Sequence, residues 1–161
     1  TPAKLSQPLT RATAQNSTSG TSINFTSIPS WVKKISVMFS SVSTSGTSSL
    51  LIQIGSGSIV TTGYASGASL IGAASASSTS ATNGFLITSN DTAAYLKSGL
   101  ITIANMSGNS WVSSGALGLM VGGSFLSGGN LTLSGVLDQI RITTVNGTDT
   151  FDAGVINIIY E

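Results

Sequence analysis

Asn146, Asp149 and Asp152 lie within seven residues of one another near the C-terminal end, with Arg141 just upstream, in the stretch "RITTVNGTDTFDAGVINIIYE". Oxygen ligands at such spacing are the raw material of a Ca²⁺ site, and two carboxylates are the minimum for glycoside hydrolysis. Neither chemistry is well served. The spacing matches no EF-hand loop, and two carboxylates are few for a tight cation site. Asp91, Asp138, Asp149 and Asp152 are the internal acids of the whole chain. No feature of the sequence aims two of them at one bond. The expectation is turn chemistry, in which Asp carboxylates accept hydrogen bonds from nearby backbone amides.

Histidine and cysteine are both absent. This excludes His- or Cys-ligated zinc, Ser-His and Cys-His catalysis, and any disulfide framework. Ser30-Trp31-Val32-Lys33 fits S-x-x-K, but it opens a strand rather than a helix and no companion motif follows. "GSGSIV" has a G-x-G without the third glycine or the helix of a nucleotide loop. The N-x-S/T sequons at Asn16, Asn24, Asn90, Asn105, Asn130 and Asn146 are what chance gives in a chain so rich in hydroxyls. No catalytic residue, metal or cofactor is expected.

The elements that carry these residues are strands. The 161 residues suit one domain; 40% are hydrophobic, only 7% are charged and the mean hydropathy is +0.37, the opposite of a disordered chain. Ser and Thr supply roughly three residues in ten. A net charge of +1 leaves no electrostatic footprint for nucleic acid, and no apolar run reaches the ~18 residues of a membrane helix. Lys33-Lys34, the one basic pair, is expected to split across a strand.

Alternation places Ile35, Val37 and Phe39 on one face of "WVKKISVMF", and Leu50, Ile52 and Ile54 on one face of "SLLIQIG". Ser107-Gly108-Asn109 suits a hairpin between "GLITIANM" and "SWVSSGAL". Leu137, Gln139 and Arg141 alternate with Asp138, Ile140 and Ile142; Asn146-Gly147 then predicts a type I′ reversal, with residues 148–151 pairing back and a further bend at 152–154. Residues 56–83 and 118–130, small and weakly patterned, read as long loops. The sum is about eight or nine strands, an antiparallel β-sandwich of jelly-roll-like type over residues 13–161, with an extended connector at 1–12. Phe25, Phe39, Phe85 and Phe151 are expected in the core, and Trp111 at a sheet end where its indole N–H finds a partner.

The residues themselves also carry a likeness. "TPAKLSQPLT" resembles the connector repeats, ending in a Lys-Leu pair, of tailed-bacteriophage tail fibres. Residues 18–55 ("TSGTSINFTSIPSWVKKISVMFSSVSTSGTSSLLIQIG") and 137–161 resemble a domain found at the C-terminus of phage and prophage tail-fibre or receptor-binding proteins. The resemblance implies a virion component of the tail fibre. It would be a homotrimer joined to other virion tail or baseplate proteins, whose sandwich tip contacts a bacterial surface receptor, polysaccharide or protein. It carries over no catalytic motif. On that implication the contact loops are 62–83, 89–97 and 118–130, with Tyr64, Asn83, Asn90, Asp91 and Tyr95 as the receptor-contact residues. A purely structural virion role, as capsid decoration or fibre connector, is the alternative. A depolymerase is disfavoured by the shortage of acids.

Overall fold

A computed structural model describes residues 9–72, 76–93 and 95–161. These residues form fourteen strands and no helix. In chain order they begin with β1 (Thr10–Arg11), β2 (Gln15–Asn16), β3 (Ser22–Phe25), β4 (Lys34–Thr44), β5 (Leu50–Ser56), β6 (Ser58–Ile59) and β7 (Ala65–Ile71). There follow β8 (Ala76–Ala81), β9 (Phe85–Leu86), β10 (Lys97–Ser107), β11 (Ser110–Leu119), β12 (Ser124–Thr132), β13 (Gln139–Thr144) and β14 (Phe151–Tyr160).

Two antiparallel sheets result. The larger runs β1-β14-β4-β10-β11-β12-β7-β8, with β2 also on β14; the smaller runs β3-β13-β5-β6, with β9 also on β5. They pack face to face as a β-sandwich, and the period-2 pattern explains why. Ile35, Val37 and Phe39 of β4, Ile101 and Ile103 of β10, and Ile156 and Ile158 of β14 point inward from the large sheet. Ile23 and Phe25, Ile52 and Ile54, and Ile140 and Ile142 answer them from the small one. Each such side chain, fully buried, stabilises the fold by about 1.5–3 kcal/mol before entropy is counted. Phe85 and Phe151 join them as expected, and so does Phe125.

A second, smaller cluster of Leu51, Leu86, Ala68 and Ala81 lies on the opposite face of β5. The far end of the large sheet therefore curls over part of the small sheet's outer surface.

Five expectations are corrected. Residues 56–83 are not a loop: β6, β7 and β8 occupy much of that span. Their sequences, "ASGASLI" and "ASSTSA", carry almost no apolar period, and the register with β12 is held by backbone bonds to a neighbouring strand. Residues 118–130 are likewise mostly β12, reached by a tight hairpin through Gly122 and Gly123. The C-terminal hairpin does not form. β13 belongs to the small sheet and β14 to the large one, so Asn146-Gly147 carries the chain across the sandwich. Only Gly147 has positive φ there, so the type I′ requirement at both central residues is not met. Asp152 to Gly154 is not a bend but a pair of register shifts inside β14. Finally, strands among the described residues number fourteen rather than eight or nine, because several are two-residue pairings that leave no periodic trace.

Residues 1–8 of the expected connector lie outside the described residues, as do 73–75 and Ala94 of the expected contact loops. The connector's described end is docked: Thr10 and Arg11 pair with Tyr160 and Ile159. The hairpin at residues 107–109 forms as expected, with Gly108 at φ 52°.

Candidate functional site

The acidic residues do structural work. Asp149 Oδ2 accepts from the Ser48 amide at 2.9 Å, and its Oδ1 from Asn146 Nδ2 at 2.7 Å. Asn146 Oδ1 in turn accepts from the amides of Thr148 and Asp149, an Asx arrangement that shapes the crossing between sheets. Asp152 accepts from the Ser43 hydroxyl, and Asp138 Oδ2 from the Gly57 amide at 2.8 Å. Among the described residues no three acids gather where a metal could bind.

The five expected contact residues do not form one surface. Tyr64 is buried: its hydroxyl accepts from the Ile54 amide at 2.8 Å and donates to the Val60 carbonyl at 3.0 Å. Its ring meets Phe85 edge-on at 5.0 Å. Burial pushes the phenol up to about 12, with the Ile54 bond pulling weakly the other way. Asp91 is also buried, with its Oδ1 2.9 Å from Lys97 Nζ and its Oδ2 taking the Thr88 hydroxyl at 3.1 Å. These two therefore present nothing to a surface partner, and a polar side chain in a Gly/Ser-rich stretch is here a sign of an internal bond. Tyr95 is half-buried against the core. Asn90 is exposed at φ 50°, a conformation Asn tolerates better than most residues. Asn83 alone lines a groove.

That groove lies on the outer face of the small sheet and encloses about 300 Å³. Two of its lining residues follow from register. Arg141 of β13 and Gln53 of β5 are cross-strand partners, so their side chains share one face, opposite to Ile52, Ile54, Ile140 and Ile142; Asn24 of β3, beside the groove, is the next partner across from Arg141. Arg141 Nε donates to Asn24 Oδ1 at 3.2 Å, while Asn24 Nδ2 donates to the Ser22 hydroxyl at 3.1 Å. The guanidinium is thus held from one side, and no carboxylate among the described residues lies within ion-pair distance of it.

Gln53 is only 6% exposed. Its Nε2 donates to the Asn83 carbonyl at 2.8 Å, and its Oε1 has no partner. Exchanging the amide atoms would set oxygen against oxygen, so the Asn83 carbonyl fixes the orientation and leaves the acceptor unmet. A buried acceptor in that state costs on the order of 1–3 kcal/mol. A second groove of about 240 Å³, between β3 and the β1–β14 edge, is lined by Gln15, Phe25 and Tyr160 among others and holds no such atom.

Gln53 and Arg141 are the residues that sequence reasoning passed over. The signal was partial: a lone Gln inside "LLIQIG" interrupts an otherwise apolar run, whereas Arg141 only alternates with Gln139 and Thr143 along the polar face of β13. No match is found to a family model, a curated protein or a solved structure.

Proposed function

We propose that this domain is a non-enzymatic attachment module of a bacteriophage virion, the C-terminal sandwich of a tail fibre, and that it contacts the host surface through the outer-face groove of the small sheet. The observation that carries the reading is the groove itself. The outer sheet face presents polar side chains around an Arg141 guanidinium that no carboxylate among the described residues pairs, and the acids that catalysis would need are spent on turns and on an internal ion pair. A lining of Asn, Gln, Ser, Thr and Arg, with Val145 its one large apolar side chain, suits a hydroxylated polymer. A low-charge surface also keeps attachment insensitive to salt.

A second observation favours assembly. Met38, Leu100, Ala116 and Leu126 are successive cross-strand partners over β4, β10, β11 and β12, on the outer face of the large sheet. Leu100 and Leu126 are 45% and 46% exposed. This apolar row is suited to a fibre trimer, and on its own it would serve a purely structural virion protein equally well.

The test is adsorption. Purified protein, sized by light scattering, is offered to intact candidate host cells with and without competing phage. Saturable binding that phage competes away is the expected result. A stable oligomer that binds no cell susceptible to the phage would leave only the structural role.

A further inference from the structure

We infer that Lys97 and Asp91 are the two halves of an intramolecular isopeptide bond, and that the buried contact between them is the precursor from which an amide forms with loss of one water. This modification site is independent of the groove and of the attachment reading.

The first observation is the contact itself. Both side chains are wholly removed from solvent, and Lys97 Nζ lies 2.9 Å from Asp91 Oδ1. That distance would ordinarily be a hydrogen bond, yet Nζ has no hydrogen-bond partner among the described residues, so the two groups meet without hydrogen-bond geometry. With a C–O bond of about 1.2 Å, Nζ stands at most about 4.1 Å from Cγ. This adjoins the ~3–3.5 Å from which a positioned nucleophile attacks.

The second is that the carboxyl is already held as an electrophile. Asp91 Oδ2 accepts from the Thr88 hydroxyl at 3.1 Å, and that hydroxyl is itself oriented by accepting from the Leu50 amide at 2.7 Å. The Thr92 amide donates to Oδ1 at 2.8 Å. Fixed donors therefore meet both oxygens on which negative charge gathers during attack. The third is the setting. Two buried charges carry a desolvation cost that a neutral amide does not, and a site closed to solvent protects the product from hydrolysis.

The step balances without another reactant. One proton crosses from the ammonium to Oδ1, leaving an amine and a carboxylic acid. The nitrogen lone pair forms the Nζ–Cγ bond, and the carbonyl π pair moves onto Oδ2, where the Thr88 hydroxyl receives it. As that pair returns, the Cγ–Oδ1 bond breaks; Oδ1 takes a second proton from the nitrogen and departs as water. One N–H remains on the amide, and the two opposite charges have cancelled. The ring so closed runs only from residue 91 to residue 97. It pins the entry to β10, and a ring this short constrains the unfolded chain least.

Mass spectrometry of the intact, denatured chain tests it. The expected mass is one water below that calculated from the sequence. Trypsin should fail to cut after Lys97, and fragmentation should give no ions between residues 91 and 97 while cleaving on either side. Lys97→Met should show its full calculated mass. Thr88→Val should slow the loss of water after synthesis about a hundredfold, and Thr88→Ser should restore it. A full mass in folded wild-type protein would overturn the inference. So would a water loss that persists in Lys97→Met, or one that fragmentation places outside residues 91–97. Should a variant fail to fold, the wild-type mass and fragmentation decide alone.

Discussion

Lys97 Nζ lies 2.9 Å from Asp91 Oδ1, and neither side chain has any exposed surface. The pair ties the start of β10 to the segment that carries Asp91, and through the Thr88 hydroxyl to the Leu50 amide of β5. Among the described residues Lys97 Nζ has no other acceptor, so the ammonium depends on this one carboxylate. Removing either partner strands a buried charge. Asp91→Asn or Lys97→Met alone should cost about 3–5 kcal/mol, whereas the double replacement Asp91→Leu with Lys97→Met should fold close to wild type. Urea unfolding of the three variants decides it; additive losses in the double variant would refute the pairing.

Tyr64 sets an alkaline limit. Its pKa in the folded chain is about 12 against 10.0 for a free phenol. Below the lower value both states hold the proton and stability is full. Above it the unfolded chain ionises while the folded one cannot, so stability falls as pH rises through the window between the two. Tyr64→Phe keeps the ring against Phe85 and should flatten that decline, at a cost of about 1 kcal/mol at neutral pH for the lost bonds. Melting temperature against pH for the two proteins is the measurement.

Gly154 and Gly20 both have positive φ, 95° and 74°, but in different surroundings. A methyl at Gly154 would stand 2.5 Å from the Ser41 carbonyl oxygen, whereas at Gly20 it meets nothing. Gly20→Ala should therefore cost only the backbone penalty, about 1–2 kcal/mol. Gly154→Ala should exceed it, because the β14 bulge must shift off β4 as well. Equal losses by chemical denaturation would mean that the close approach is readily relieved.

The outer row of Leu100 and Leu126 supplies a test of assembly. Replacing both by Lys places like charges two strands apart on an exposed face, where single-chain stability should change by no more than about 0.5 kcal/mol per site. An oligomer built on this face should dissociate in sedimentation. One that survives uses another surface.

The sandwich was legible because its core strands alternate cleanly: Ile35-Val37-Phe39 and Ile52-Ile54 face inward as their spacing requires. β7 and β8 were not, since Ala68 is the one buried side chain of β7, a run of Ser, Gly and Ala that ends in a part-buried Leu70 and an exposed Ile71. Their pairing is a property of the backbone and leaves no period to read. The crossing at Asn146-Gly147 was misassigned because a turn residue specifies that the chain reverses, not which sheet receives it. Trp111 shows the same limit: it is buried at the start of β11 as an aromatic should be, yet its indole N–H finds no partner. The groove escaped because burial of Gln53 depends on Asn83, thirty residues away, and no local pattern encodes that meeting.

Both sheets take an interior strand from the end of the chain: β13 between β3 and β5, β14 between β4 and β1. During synthesis, then, everything up to residue 138 can leave the ribosome without either sheet being able to close. β4 would have one edge open, and β3 and β5 would have no common neighbour. Such open edges are templates for pairing with other chains. A nascent domain of this design must stay soluble by the hydroxyl-rich character of its unpaired segments, and premature termination even a few residues short of β14 should yield aggregate rather than a smaller fold.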